Sequence, residues 1–130
     1  MARPRRAPAL PTTAIVALAV TGMAVSGCGG GGDGKVQTVT VTGTEMRFDP
    51  GQLTLAPGRY RFHFVNAGTT YHDLGIYRDG RSRSTREAAA GQSIDLDVIK
   101  LETGTYTMEC REPGHFQAGM HGTITVRKPS

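Results

Sequence analysis

The sequence contains no tryptophan, only two cysteines among its 130 residues, and only 6% aromatic residues. The shortage of thiols excludes an iron–sulfur cluster, which needs more cysteine ligands than this chain offers. The chain also lacks a GxSxG segment, the nucleophile elbow of α/β-hydrolases. Its charged fraction of 20% is ordinary for a soluble protein, and its length allows one small domain with extras.

Residues 1–27 are predicted to be a lipoprotein signal peptide. They combine a basic start, an apolar run over residues 14–20 that is too short for a membrane span, and small residues ahead of Cys28. The letters VSGC at residues 25–28 resemble the lipobox of bacterial lipoproteins, in which the cysteine is lipidated and the signal is cleaved just before it. The alternative is an ordinary signal peptide with a chance cysteine. Residues 28–35 then form the lipidated Cys28 and a Gly-rich tether.

Loss of the signal peptide changes the charge balance. The whole chain has a formal net charge of +4, but without the three N-terminal arginines 12 Lys and Arg face 11 Asp and Glu. Nucleic-acid binding therefore loses its main compositional support.

A lipidated Cys28 leaves Cys110 without a disulfide partner. A lone thiol outside the cytoplasm is at risk of oxidation and needs an explanation. Metal ligation, burial as a small apolar residue and intermolecular pairing are the three explanations open at this point.

From residue 36 onward the apolar residues alternate with a period of two. In RYRFHFVN (residues 59–66), Tyr60, Phe62 and Phe64 share one face and Arg61 and His63 share the other. About seven such runs, separated by Gly, Pro and Asn, predict an antiparallel β-sandwich or barrel over residues 36–130. Residues 78–92 carry four arginines and lack this alternation, so they are predicted to be an exposed loop with a helical turn at TREAAA.

Cys110, His115 and Met120 lie on one stretch, CREPGHFQAGM, between two predicted strands. A fourth ligand would come from four candidates: His63, His72, His121 and Met46. His63 has outward parity, His121 is expected at the rim and Met46 is expected to pack, which leaves His72 as the residue that a strand end could deliver. Two imidazoles, a thiolate and a thioether suit a blue-copper site better than zinc, calcium or magnesium.

Three segments resemble the small cupredoxins, the family of plastocyanin, azurin and rusticyanin. They are YTMECREPGHFQAGM around the ligand loop, NAGTTYH before the first histidine, and MRFDPGQLTLAPGRYRFHFVN near the N-terminus of the domain. The resemblance covers residues 36–126 and implies a Greek-key β-sandwich of seven to eight strands around one type 1 copper ion.

The resemblance also implies a role for each site residue. His72, Cys110 and His115 would be equatorial ligands and Met120 the axial ligand. Four further residues would support the ligands from outside: Asn66, Asp73, Pro113 and Gly114. Asp73 departs from the Asn or Ser that often follows the first histidine, but it can still accept a backbone N–H from the ligand loop.

The sequence therefore predicts a non-enzymatic, monomeric blue copper protein, lipid-anchored outside the cytoplasm, that carries single electrons between redox protein partners. One alternative is an extracytoplasmic protein for copper storage or delivery. Another is a metal-free β-sandwich lipoprotein with an interaction role. The family resemblance also implies that the apolar residues around His115 form the surface through which the electron passes; the alternative is a plain hydrophobic cap at one end of the sandwich.

Overall fold

The computed structural model describes residues 34–130. The predicted signal peptide, Cys28 and most of the tether lie outside the described residues. The described residues form ten strands: β1 (Val36–Thr44), β2 (Arg47–Asp49), β3 (Gln52–Leu55), β4 (Gly58–Asn66), β5 (His72–Arg78), β6 (Arg81–Ala88), β7 (Ser93–Asp95), β8 (Ile99–Leu101), β9 (Gly104–Glu109) and β10 (His121–Val126). No helix capable of crossing a membrane occurs among them.

The strands form two sheets that pack face to face. One sheet has the order β2–β1–β4–β7, with β8 also paired to β4, and the other has the order β3–β10–β9–β5–β6. Their inner faces enclose one apolar core, in which Phe62, Phe64, Ile76, Tyr106 and Ile124 are buried. The predicted β-sandwich is confirmed, and the burial along β4 follows the predicted alternation.

The architecture differs from the prediction in strand number and in two pairings. There are ten strands rather than seven or eight, because short segments such as β7 and β8 pair separately with β4. The pairs β1–β4 and β3–β10 are parallel, so the sandwich is mixed rather than purely antiparallel. Parallel neighbours need a crossover, and a crossover between distant segments leaves no local mark in the sequence.

The prediction of a loop over residues 78–92 is wrong. Strand β6 occupies Arg81–Ala88 and pairs with β5 along its length, so TREAAA forms strand and not a helical turn up to residue 88. Of the β6 side chains, Ser84 and Ala88 are buried and the others are exposed. Because β6 is an edge strand with polar residues on both faces, the period-two signal is missing.

Candidate metal centre

Three of the four predicted ligands meet at one end of the sandwich. One donor atom from each of His72, Cys110 and His115 lies within 4.8 Å of the others. The two histidines face each other through Nδ1, with 3.1 Å between these atoms, and Cys110 Sγ lies 3.5 Å from His115 Nδ1. The geometry thus directs two imidazole nitrogens and one sulfur toward a common point.

His72 is the first residue of β5 and is buried. On the side of the ring away from the other donors, Nε2 lies 3.3 Å from Glu45 Oε1. That carboxylate oxygen also accepts hydrogen bonds from the backbone N–H and the hydroxyl of Thr69. The backbone hydrogen bond from Thr69 is the main cause that lowers the pKa of Glu45 to about 2. An ionised carboxylate only accepts, so Nε2 carries the ring proton and Nδ1 keeps its lone pair for a metal.

Sequence reasoning missed Glu45, which follows β1 and is 27 residues from His72. One local signal was present, in the glycine of NAGTTYH. A Cβ on Gly68 would lie 2.5 Å from Glu45 Oε1 and 2.7 Å from His72 Nε2. The absence of a side chain at residue 68 therefore lets the carboxylate reach the imidazole.

Asn66 holds the segment that leads to His72. Its buried side-chain amide donates to the carbonyls of Thr70 and Ala88, and its Oδ1 accepts the N–H of Gly68. The side chain therefore fixes the turn before β5 and ties it to the end of β6. This position fits the supporting role that the family resemblance implies for Asn66.

Cys110 directly follows β9 and is buried. Burial above all, and then a hydrogen bond to Asp73, raise the pKa of its thiol to about 12. The same Asp73 carboxylate accepts the backbone N–H of Arg111 at 2.7 Å, the kind of link to the ligand loop predicted for this residue. A metal that binds the thiolate must displace the thiol proton.

The loop from Cys110 to Met120 is closed by its own backbone. The Cys110 N–H donates to the Met120 carbonyl at 3.1 Å, and the Met120 N–H donates to the His115 carbonyl at 3.0 Å. Gly114, next to the exposed Pro113, has a φ of 84°, a conformation that favours glycine. Together these features turn the chain so that His115 can reach the other two donors.

The Met120 side chain is buried, and its methyl group lies beside Gly43, close to the Phe64 ring. Its role as the axial ligand stays a prediction. The rejected candidates lie where the sequence placed them. His63 is partly exposed and contacts Asp95, His121 is exposed against the Phe116 ring, and Met46 packs against the core.

The donor set fits a single type 1 copper ion. Two imidazoles and one thiolate are the equatorial set of such sites, and the thioether of Met120, a buried residue whose backbone is hydrogen-bonded to Cys110 and His115, is the type of weak axial donor they use. The carboxylate behind His72 matches the outer hydrogen bond that metal-bound histidines make.

Three comparisons with known proteins bear on this site. The family model described as a cupredoxin-like domain matches residues 13–126. The copper-resistant cuproprotein CopI of Rubrivivax gelatinosus is 30% identical over 100 residues, which are 63% of this chain and 61% of CopI. The chain thus spans less than two thirds of the length of that relative.

Among solved structures, auracyanin B is similar with a TM-score of 0.61 and 24% identity, over 69% of this chain and 88% of that one. Auracyanin A, a blue copper protein of Chloroflexus aurantiacus, has a TM-score of 0.61 and 18% identity, over 72% of this chain and 100% of that one. At these identities the likeness concerns the fold alone.

Proposed function

Because this chain belongs to the cupredoxin-like domain family, we propose that it is an extracytoplasmic, membrane-anchored carrier of single electrons. The observation that carries the proposal is the convergence of His72, Cys110 and His115 donors within 4.8 Å. A bound copper ion would supply the one-electron chemistry, by alternating between Cu(II) and Cu(I). Everything else is the work of the protein's own residues.

Those residues hold the donors in place and keep water away. His72 and Cys110 adjoin paired strands in the core, so neither donor needs to move far when the charge at the site changes. Small rearrangement favours fast electron transfer, because the free energy needed to reorganise ligands and solvent adds to the barrier. His115, by contrast, is partly exposed among exposed loop residues that include Pro113 and Phe116. We propose that an electron reaches a redox protein partner through the outer edge of this ring.

The spectroscopic test uses the domain from residue 34 onward with one equivalent of Cu(II). An intense blue thiolate-to-copper band and a narrow copper hyperfine splitting are expected, and both should vanish in Cys110→Ser. Repeated reduction and reoxidation by a small redox protein, without loss of copper, would then establish the electron-carrier function. Copper bound without the blue band would contradict it.

Membrane attachment and the absence of catalysis belong to the same proposal. Lipidation of Cys28 would anchor the domain, and four protein ligands would leave no open coordination position for a substrate. Expression of the full chain should place it in the membrane fraction with bound acyl chains, as a monomer after detergent extraction. A Cys28→Ser chain that stays equally membrane-bound would contradict the lipid anchor.

Copper resistance is a second candidate, favoured by the similarity to CopI, which is named as a copper-resistant cuproprotein. In that role the site would sequester copper rather than pass electrons. The two functions separate by comparing cells that express the native chain or Cys110→Ser during growth in excess copper. Protection that requires Cys110, together with slow electron exchange in vitro, would favour resistance.

A further inference from the structure

The end of the sandwich opposite the metal centre contains both ends of the described chain and the connections β3–β4, β5–β6 and β8–β9. Strand β1 begins there at Val36 beside Arg59, and β10 ends there at Val126 beside Gly104. Strand β5 runs from His72 at the metal centre to Arg78 at this opposite end, a distance of about 20 Å. We call this the distal end.

The two ends carry opposite charge. Near the strand ends, the distal end has the basic residues Lys35, Arg59, Arg78, Arg81, Arg83, Lys100, Arg127 and Lys128 and the acidic residues Asp79 and Glu102. The metal end has the acidic residues Glu45, Asp49, Asp73, Glu87, Glu109 and Glu112 and the basic residues Arg47, Arg86 and Arg111. All the basic side chains of the distal end are exposed except Arg78, which is half-buried and donates to the Tyr106 hydroxyl.

We propose that the distal end docks on an anionic lipid bilayer. Basic side chains near such a surface each strengthen binding by about fivefold, and their effects act within a Debye length of about 8 Å. The described chain begins at Gly34 on this same end. Gly34 lies six residue steps after Cys28, and a fully extended chain covers at most about 20 Å in six steps.

This geometry favours a bilayer over an acidic protein as the occupant. A lipid on Cys28, as in the proposed function, would hold the distal end closest to the headgroups, and the metal centre lies at the opposite end of the domain. The charge distribution does not depend on copper, so the proposal is separable from the electron-carrier function.

The test uses the metal-free domain of residues 34–130, which contains the whole core of the described residues, and therefore needs neither copper nor lipid on the protein. Sedimentation is measured at low ionic strength with phosphatidylcholine vesicles and with vesicles that also contain phosphatidylglycerol. Binding to the anionic vesicles only, and its loss on addition of salt, is expected. No binding to anionic vesicles at low salt overturns the proposal.

A matched pair of variants localises the contact. Arg81→Glu with Lys128→Glu should weaken binding by more than about 25-fold, at about fivefold for each lost cation. Arg47→Glu with Arg86→Glu makes the same change in net charge away from the distal end and should weaken it much less. Equal losses in both pairs would mean that net charge alone drives binding, and would overturn the assignment to the distal end. Displacement of the native domain from vesicles by poly-glutamate at equal charge concentration would instead favour an acidic protein as partner, and would overturn the bilayer.

A second inference rests on a different observation, the hydrogen bonds of Glu45, and it depends on copper as the bound metal. We propose that Glu45 is a positioning residue that holds His72 with Nδ1 free and lowers the reduction potential of the site. One of its two oxygens, Oε1, lies 3.3 Å from His72 Nε2 and accepts hydrogen bonds from the Thr69 N–H and the Thr69 hydroxyl. A carboxylate that accepts the outer N–H makes an imidazole a stronger donor, and the added negative charge favours Cu(II) over Cu(I).

The variants are Glu45→Gln, which keeps an acceptor without the charge, and Glu45→Ala, which keeps neither. Glu87→Gln, a change at another exposed carboxylate of the metal end, serves as the control. Nitrogen NMR of metal-free protein should show His72 with its proton on Nε2 in the native chain and a mixture of tautomers in Glu45→Ala. In copper-loaded protein, the potential should rise in Glu45→Gln with the blue band retained, and should not change in Glu87→Gln.

The NMR result separates this inference from the proposed function. If neither the native protein nor its variants bind copper, the proposed electron-carrier function is refuted, but the tautomer of His72 still tests the positioning role of Glu45. An unchanged tautomer in Glu45→Ala, or equal potentials in native protein and Glu45→Gln, would overturn the inference.

Discussion

His72 and His115 approach the same point from two different kinds of structure. His72 opens a strand whose residues are buried from 72 to 77, and Glu45 contacts the far side of its ring. His115 lies in a loop with exposed neighbours, and its ring nitrogen Nδ1 lies near the donor atoms of His72 and Cys110. The His72 imidazole is therefore buried and held by a strand, whereas the His115 imidazole is held by a loop and is partly exposed to solvent. A site of this kind can hold its donors rigidly and still present one of them to another protein.

Removal of each imidazole in turn should separate the two histidines most clearly. His115→Gly and His72→Gly should both lose the blue band of the copper-loaded protein. Added imidazole should restore the band in His115→Gly, because the empty position opens to solvent, and should fail in His72→Gly, where burial blocks entry. Titration of each variant with imidazole in the visible spectrum measures this, and equal rescue of both would remove the distinction.

A smaller effect, on stability, is expected when a methyl group is added before His72 or before His115 by replacing a glycine with alanine. Gly68→Ala places a Cβ within 2.7 Å of both Glu45 and His72 atoms, so we expect about 1–3 kcal/mol of destabilisation and a changed His72 environment. Gly114→Ala meets no atom within 4 Å and costs only backbone strain, about 1 kcal/mol. Urea unfolding gives both values. A larger loss of unfolding free energy in Gly114→Ala than in Gly68→Ala would mean that the His115 loop is more tightly packed than the segment that leads to His72.

Asp73 links the two segments, since it adjoins His72 and accepts the N–H of Arg111 on the loop. Asp73→Asn keeps an acceptor and removes a negative charge near the copper, which should raise the reduction potential. Voltammetry of the native and variant proteins tests this, with the blue band as the check that the site is intact. Indistinguishable potentials would show that Asp73 acts through geometry alone.

The smallest effect concerns acid stability of the metal-free protein. The pKa of Glu45 falls from 4.5 to about 2 on folding, so the stabilisation it provides is complete above pH 4.5 and is lost as the pH falls toward 2. Glu45→Gln should remove this part of the pH dependence. Denaturant midpoints between pH 5 and pH 2 measure it, and parallel curves for the two proteins would contradict the expectation.

Short sequence patterns predicted the features that depend on residues close together in the chain. The alternation of β4 follows from the geometry of a half-buried strand, and Cys110, His115 and Met120 are close in sequence, so both features could be inferred from the amino-acid sequence. Strand β6 was missed because its pairing with β5, not its own side chains, makes it a strand. The parallel β1–β4 pair and the Glu45–His72 contact join distant segments, and no short pattern encodes such a meeting.

The hydrogen bond between Cys110 and Met120 has a consequence for how such a site can change. Strands β9 and β10 pair at Glu109 and His121, so the loop between them begins and ends at adjacent positions of one sheet. The sequence of this loop can therefore change without a change in the strands that flank it. Insertions, deletions or new donors within it can retune the metal while the two sheets, and the half of the site built into them, stay as they are.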